Sequence, residues 1–384
     1  MNIGIFTDTY VPQVNGVVTV IRNLEKGLKE KGHNVYIFTV EHPEAMPMDN
    51  VFRLPSIKFI WEPQHRLGVP VSPTITKKVK KLNLDIIHSH TEFSLLTYAK
   101  YISKKLKIPT VHTTHTFYEE YLHYVPLFEK VSKFYLKKEM KKICDRQRAV
   151  IAPSNKIKNV LLGYDVSKPI EVVPNGIDLS KFYNPEVENI DEKVKIFKKN
   201  FGIKDNEKVL VFVGRIAQEK SIDKLLENMK VLNEKRKDIK LLLIGDGPEK
   251  HALQKYASKL GIDDKVIFAG YLKWPIEISI AYRASNIFMS ASHSEVHPMT
   301  FIEAIASGLP VVAYDDPSID EMILNEVNGY KYKDKSQMWE GVIKILDDEE
   351  KRKEMSKKAV EISKNYSMEV FVERMIKVYE KYLR

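Results

Sequence analysis

Short apolar runs of strand length alternate with amphipathic stretches of helix length along almost all of this 384-residue chain. NIGIFTD (2–8), NVYIFTV (34–40), DIIHSH (85–90), PTVHTTH (109–115) and AVIAPS (149–154) read as buried strands. Helical patterns lie between most of them. Val17, Val20, Ile21, Leu24 and Leu28 share one face of a helix expected over 17–31, and Gly32 ends it. This alternation predicts a parallel sheet with crossover helices, which binds ligands beyond the carboxyl ends of its strands. The Pro, Asn and Gly of EVVPNGIDLSKF (171–182) read as a linker. A second alternation follows it: KVLVFVG (208–214), KLLLIGDG (240–247), KVIFAGY (265–271), NIFMSAS (286–292) and PVVAYD (310–315). The expected fold is α/β, with two Rossmann-like units, 1–175 and 176–365, facing each other across a cleft. A last helix, about 366–384, is expected to cross back to the first unit.

Composition excludes several classes. With 43% hydrophobic and 29% charged residues the chain reads as globular. No apolar run approaches the roughly 18 residues of a membrane span. The chain begins on a strand, so no signal peptide is expected. A single cysteine, Cys144, permits no internal disulfide and fits a reducing cytoplasm, and it reads as a small core residue. No Cys/His spacing suggests zinc, so no metal and no tightly bound cofactor is expected.

The net charge of +10 is placed unevenly: residues 1–175 carry 26 Lys+Arg against 16 Asp+Glu, and the remainder is balanced. Within LFEKVSKFYLKKEMKKICDRQR (127–148) eight basic and three acidic residues lie on a helical pattern. Such a helix suits an anionic surface, either a membrane leaflet or nucleic acid; a solvated lysine face is the alternative. A nucleic-acid-binding module would leave the second unit unexplained, so no nucleic-acid partner is expected.

HSEVHPMTFIEAIASGLPVV (293–312) carries the chemistry. Glu295 lies in a loop at a strand's carboxyl end, and Met299 and Thr300 stand near the start of a helix expected over 300–307. Glu303 sits about one turn inside, with seven residues between the two acids. Free N–H groups at that helix start suit a diphosphate, and a flanking acid can hold ribose hydroxyls. At the end of the second unit's first strand, GRIAQEKSIDKLL (214–226) sets Arg215 and Lys220 near the same crevice, before a helix expected to be capped by Ser221. In the first unit, Gly16 opens a helix and permits close backbone approach to a ligand, and His115 ends a buried strand. The Gly16 loop has no GxGxxG spacing, which argues against NAD.

These motifs, in this order over essentially the whole chain, resemble the retaining glycosyltransferases of the GT-B fold, the family of sucrose synthase and the phosphatidylinositol mannosyltransferases. Its Glu-x7-Glu signature matches Glu295 and Glu303, its diphosphate-binding Arg and Lys match Arg215 and Lys220, its early glycine matches Gly16 and its cleft histidine matches His115. One departure is Pro298, where many members have glycine. DTYVPQVNGVVTVIRNL and THTFYEEYLHYVP (114–126) are similar to the bacterial diacylglycerol glucosyltransferases. The resemblance implies a UDP-sugar donor bound by Gly16, Arg215, Lys220, Tyr271, Glu295, Met299, Thr300 and Glu303. It implies catalytic roles for His115, Arg215, Lys220 and Glu295, and a retaining transfer of glucose to diacylglycerol. The first unit would then bind the acceptor on the inner membrane face through Tyr118, Tyr121, Tyr124, Lys137, Lys138, Lys141 and Lys142, an aromatic and basic set suited to headgroups. Phosphoinositides, polyprenol-linked sugars and soluble sugars remain alternative acceptors.

Overall fold

The computed structural model of the protein describes residues 1–58, 66–69, 71–116, 129–182 and 189–383. The chain divides into two compact units, Met1–Gly176 with Met368–Arg384, and Ile177–Ser367.

The first unit opens with β1 (Asn2–Phe6), α1 (Gly16–Glu30), β2 (Asn34–Val40), β3 (Val51–Leu54), β4 (Ser56–Lys58), β5 (Arg66–Gly68) and α2 (Pro73–Lys81). It continues through β6 (Ile86–Ser89), α3 (Ser94–Leu106), β7 (Thr110–Thr113), α4 (Glu129–Cys144), β8 (Ala149–Ala152), α5 (Asn155–Gly163) and β9 (Ile170–Val172). Seven strands form one sheet in the order β3-β2-β1-β6-β7-β8-β9. Every neighbouring pair is parallel. Burial on both faces explains the unbroken apolar runs: Ile3, Ile5, Phe6, Ile86, Ile87, Val150 and Ile151 are wholly buried.

The second unit contains α6 (Ile190–Asn200), β10 (Lys208–Val213), α7 (Ile222–Lys235), β11 (Ile239–Ile244), α8 (Lys250–Lys259), β12 (Val266–Gly270) and α9 (Ile276–Arg283). Then come β13 (Ile287–Ser290), α10 (Met299–Ala306), β14 (Val311–Tyr314), β15 (Gly329–Tyr332), α11 (Met338–Leu346) and α12 (Glu349–Ser363). Its six strands are ordered β12-β11-β10-β13-β14-β15 and are parallel throughout. The last helix, α13 (Met368–Tyr382), belongs to the first unit and packs along α1. Gly27 makes that approach possible, because a Cβ there would lie 2.5 Å from the Val372 side chain. Phe371, Val372, Met375, Val378 and Tyr379 bury the apolar face of α13.

Five strands are absent from the sequence expectation: β3, β9 and β15, each an edge of its parallel sheet, and β4 and β5, which pair antiparallel as a separate two-stranded ribbon. An edge strand is covered less completely, so VFRL and GYKY carry polar residues and lack an apolar run. The linker expected at 171–182 is corrected accordingly: its first residues complete β9, paired with β8. The expected strands also run past their observed ends. Thr7, Asp8, His90 and Thr114 follow strands as buried loop residues and so mimic a continuing core pattern.

Phe371→Ala should lower the unfolding free energy of the first unit by about 3–5 kcal/mol through lost burial and a residual cavity. Urea denaturation measures this; an unchanged midpoint would remove α13 from that unit's core.

Candidate functional site

From β10 the second unit's chain adds β11 and β12 on one side, then returns to place β13 on the other. The loops after β10 and β13 therefore part at the carboxyl edge, the switch point where open α/β sheets hold ligands. Arg215 and Lys220 lie in the first of these loops, and His293 and Glu295 in the second. α10 follows at once, with Pro298 at its N-cap and no side-chain cap, so its leading N–H groups are available to a bound anion. Met299 and Thr300, the first two residues of α10, are half-buried beside them.

Glu303 sits one turn into α10 and is 5% exposed. The Trp274 indole Nε1 donates to its Oε1 at 2.9 Å. The Tyr282 hydroxyl lies 3.2 Å from its Oε2 and equally far from the Thr300 carbonyl. Burial pushes the carboxyl up to about 7, opposed by those two donors. An ionised carboxylate has about four acceptor positions, so two donors leave room for two more. Trp274 is 38% exposed and Tyr271, just past β12, is 67% exposed.

Lys220 and Glu295 meet directly, Nζ to Oε1 at 2.6 Å, with side chains only 19% and 16% exposed. Arg215 is exposed at the sheet edge. The loop bearing it is pinned from below: Gly214 N donates to the Ile244 carbonyl and Ile216 N to the Asp246 carbonyl, both at 3.0 Å. The close approach requires glycine at 245, where φ is +129° and a Cβ would lie 1.9 Å from the Gly214 carbonyl oxygen. Ser221 does not cap α7 as expected. It adopts a left-handed conformation, φ 49°, that turns its side chain away from the helix. Its hydroxyl instead accepts from Lys335 Nζ at 3.0 Å, and the same ammonium lies 3.0 Å from His293 Nδ1.

In the first unit the switch point falls between β1 and β6. Asn15 caps α1 by accepting from Val18 N at 2.9 Å, while its own amide donates to Thr9. Gly16 begins the helix, and a Cβ there would meet no protein atom within 4 Å. Its packing within the protein leaves that position open. Asp8, buried, receives Thr91 Oγ1 at 2.6 Å, the Ser94 hydroxyl and the Leu95 N–H, so it caps α3 from a distant loop. His115 follows β7 and bonds His90, against which the His88 ring packs; His112 faces the other side of the sheet, bonded to Ser89 and Glu92. Among the described residues no His, Cys, Asp or Glu group is arranged to hold a metal ion.

Two family models divide the chain: Glycosyl transferases group 1 matches residues 193–361 and Glycosyltransferase Family 4 matches 14–181. The alpha-monoglucosyldiacylglycerol synthase of Streptococcus pneumoniae is 36% identical over 334 residues, 86% of this chain and 75% of that one. The synthase of the same name from Acholeplasma laidlawii is 31% identical over 391 residues, 99% and 96% of the two chains. HepE of Anabaena, solved with UDP, superposes with a TM-score of 0.78 at 15% identity, over 99% of this chain and 100% of that one. The chain belongs to the GT-B glycosyltransferases.

The residues expected to serve this glycosyltransferase separate into two groups. In the second unit Arg215, Lys220, Tyr271, Glu295, Met299, Thr300 and Glu303 all lie on α10 or on loops beyond the carboxyl ends of the strands. In the first, Gly16 and His115 lie on the corresponding edge of their own sheet. Of the surface set, Tyr118, Tyr121 and Tyr124 lie outside the described residues. Lys137, Lys138, Lys141 and Lys142 lie on α4, which spans Glu129–Cys144 within the basic stretch. Three of these lysines have acidic neighbours: Lys137 pairs with Asp165 at 2.8 Å, Lys141 with Asp145 at 2.5 Å and Lys142 with Glu139 at 3.2 Å. Such exposed pairs contribute little and leave the lysines able to exchange partners. Phe134 and Tyr135 on the same helix are 65% and 61% exposed. Cys144 is buried, and burial pushes its thiol up to about 12, so it is an inert core residue. No helix among the described residues is long and apolar enough to cross a membrane.

Sequence reasoning missed Trp274, Tyr282, His293, Lys335 and three of the histidines. The first four are distant in sequence from the residues they touch, and no local pattern marks them. His88 and His90 did carry a signal, since alternate residues of a strand share one face.

Because burial raises the Glu303 carboxyl above its value of 4.5, the folded state holds a proton that the unfolded chain has released. Stability present at low pH is therefore lost as pH rises from about 4.5 through about 7, by about 3 kcal/mol in total. Denaturant unfolding at pH 5 and pH 8 should show this loss in the native chain and a smaller one in Glu303→Gln; equal losses would remove Glu303 as its source.

Proposed function

We propose that this glycosyltransferase transfers glucose from UDP-glucose to diacylglycerol at a membrane surface, with retention at the sugar carbon. The observation that carries the reading is its similarity, over 86% and 99% of the chain, to two alpha-monoglucosyldiacylglycerol synthases. The geometry supports the donor half independently. The two remaining acceptor positions of Glu303 suit the two ribose hydroxyls of a nucleotide, and the uncapped start of α10 suits its diphosphate. HepE of Anabaena has also been solved with UDP-glucose.

Arg215 and Lys220 would neutralise the diphosphate, Glu295 would accept from the sugar's hydroxyls, and Met299 and Thr300 would present backbone N–H groups. Tyr271 would flank the nucleotide; Gly16 and His115 would serve the donor sugar. Lys220 and Glu295 hold each other at 2.6 Å, so a donor would draw the ammonium toward phosphate and free the carboxylate for hydroxyls. Breaking the bond from the sugar to UDP leaves negative charge on the departing diphosphate. Fixed positive groups beside it stabilise that charge as it develops, which is the electrostatic core of the catalysis.

The acceptor half rests on the first unit's excess positive charge and on α4, which carries Lys137, Lys138, Lys141 and Lys142 beside exposed Phe134 and Tyr135. Each basic residue near an anionic surface contributes about 1 kcal/mol, enough in number for reversible attachment. Tyr118, Tyr121 and Tyr124 would add interfacial rings, and the protein would work on the cytoplasmic face.

The test is incubation with radiolabelled UDP-glucose and vesicles containing diacylglycerol and phosphatidylglycerol, followed by product identification. Labelled monoglucosyldiacylglycerol in the α configuration is expected. Label found only in a water-soluble glucoside would overturn the lipid acceptor, and label that stays in UDP-glucose would overturn the donor. Arg215→Ala should lower kcat by at least about tenfold. A rise in KM with kcat unchanged would make Arg215 a ground-state binding group only.

A further inference from the structure

His90 has no part in the roles above, yet it is the group that holds His115. It is 1% exposed just past β6, and its Nδ1 lies 2.9 Å from His115 Nε2. The two rings lie edge to edge and nearly coplanar, with centroids 5.1 Å apart and planes at 16°, as a hydrogen bond between in-plane ring nitrogens requires. The His88 ring packs against His90 with centroids 3.9 Å apart. Both nitrogens of His88 are satisfied, by the Tyr379 and Thr113 hydroxyls at 2.7 Å each, so His88 offers His90 a surface and no hydrogen bond. His90 Nε2 is buried and has no hydrogen-bond partner among the described residues.

One proton lies between His90 Nδ1 and His115 Nε2, and the orphaned nitrogen decides which ring owns it. Were His115 the donor, a neutral His90 would carry its own proton on Nε2, leaving a buried N–H with nothing to receive it. A bare lone pair is tolerated there more readily than an orphaned donor. The proton therefore sits on His90 Nδ1, His115 Nε2 accepts it, and the proton of His115 lies on its Nδ1. Among the described residues no protein group bonds that Nδ1.

We infer that His90 is a positioning residue that locks His115 as its Nδ1–H tautomer, so that His115 meets its ligand as a neutral hydrogen-bond donor and not as a base. The role deepens the proposed function, and so rests on it: the ligand atom would be a hydroxyl oxygen of the donor sugar. The charge environment agrees. Burial holds His115 down at about 4, opposed by Glu92 and reinforced by His112, and holds His88 and His90 well below their ordinary value. A cation at any one of these three rings would face its neighbours across a dry contact. A neutral donor keeps the sugar oriented over a wide pH range and cannot abstract a proton from competing water.

The test uses the full-length protein labelled with 15N-histidine, with the His115 signals assigned through His115→Gln. At pH 7 long-range nitrogen–proton correlation should show His115 protonated on Nδ1 and bare on Nε2. His90→Asn, whose amide N–H stands near the place of the Nδ1–H, should preserve that pattern and keep kcat within about threefold. His90→Phe removes the donor; His115 should then shift toward the Nε2–H tautomer. Turnover of UDP-glucose should fall at least about tenfold in kcat with KM little changed, since only orientation for the reaction is lost. Nε2 protonation of His115 in the native chain would overturn the inference, as would native kcat and tautomer in His90→Phe. Should His90→Phe fail to fold, the native spectrum and His90→Asn still decide. The spectra need no substrate, so an absence of glucosyl transfer would sink the proposed function while the tautomer still settles the part played by His90.

Discussion

Parallel pairing throughout the seven-stranded and the six-stranded sheet brings the carboxyl ends of all their strands to a single edge of each, and the rest of the site follows from that constraint. A parallel strand cannot be reached by a tight turn; each needs a crossover, and each crossover begins with a loop at the carboxyl edge. In the second unit the outward run from β10 through β12 and the return to β13 open a gap in that row of loops. Arg215, Lys220, Glu295 and the start of α10 surround the gap because the topology delivers them there. Glycine at 245 and 247 lets the neighbouring loop press against the backbone of 214–216 and hold it in place.

Within this frame the chemistry of Glu303 is strongly altered by its surroundings. Water would keep it ionised near its usual value, and burial raises it to about 7. The Trp274 and Tyr282 donors limit that rise and fix the plane of the carboxyl group, each on one oxygen. The carboxylate is thus part-solvated by protein and part-available, a condition that favours a ligand bringing two hydroxyl donors. Lys220 and Glu295 behave differently. Each compensates the other at 2.6 Å, so neither charge stands isolated before a ligand divides them. In the proposed reading a donor would replace that attraction with phosphate against Lys220 and with hydroxyl hydrogen bonds to Glu295.

Much of this was legible in the sequence for reasons that can be stated residue by residue. The buried central strands read clearly because both faces of a parallel sheet are covered, which leaves runs such as KVLVFVG and NIFMSAS unbroken. Edge strands β3, β9 and β15 did not, because an unpartnered side tolerates the polar residues that interrupt VFRL, IEV and GYKY; the fourth edge, β12, keeps the apolar run VIFAG and was legible. Glu295, Glu303, Arg215 and Lys220 could be placed because each is anchored to a strand end or a helix start. Trp274 could not, standing 29 positions before the carboxylate it bonds, on a loop whose course no local pattern determines. Ser221 illustrates a limit of local rules. A serine before a helix normally caps it, but here the left-handed backbone directs the hydroxyl to Lys335, and tertiary contacts outweigh the local preference.

The central proposal is that Glu303 would receive the ribose hydroxyls of the donor as a carboxylate. Calorimetric titration of the full-length protein with UDP-glucose from pH 5.5 to 8.5 tests it most directly, because the diphosphate of this ligand does not titrate there. The account predicts that affinity rises about tenfold per pH unit below about 7 and levels off above it, since binding selects the ionised form. It also predicts that Glu303→Gln binds more weakly and with a flat profile. An affinity independent of pH in the native chain, or unchanged in Glu303→Gln, would contradict it.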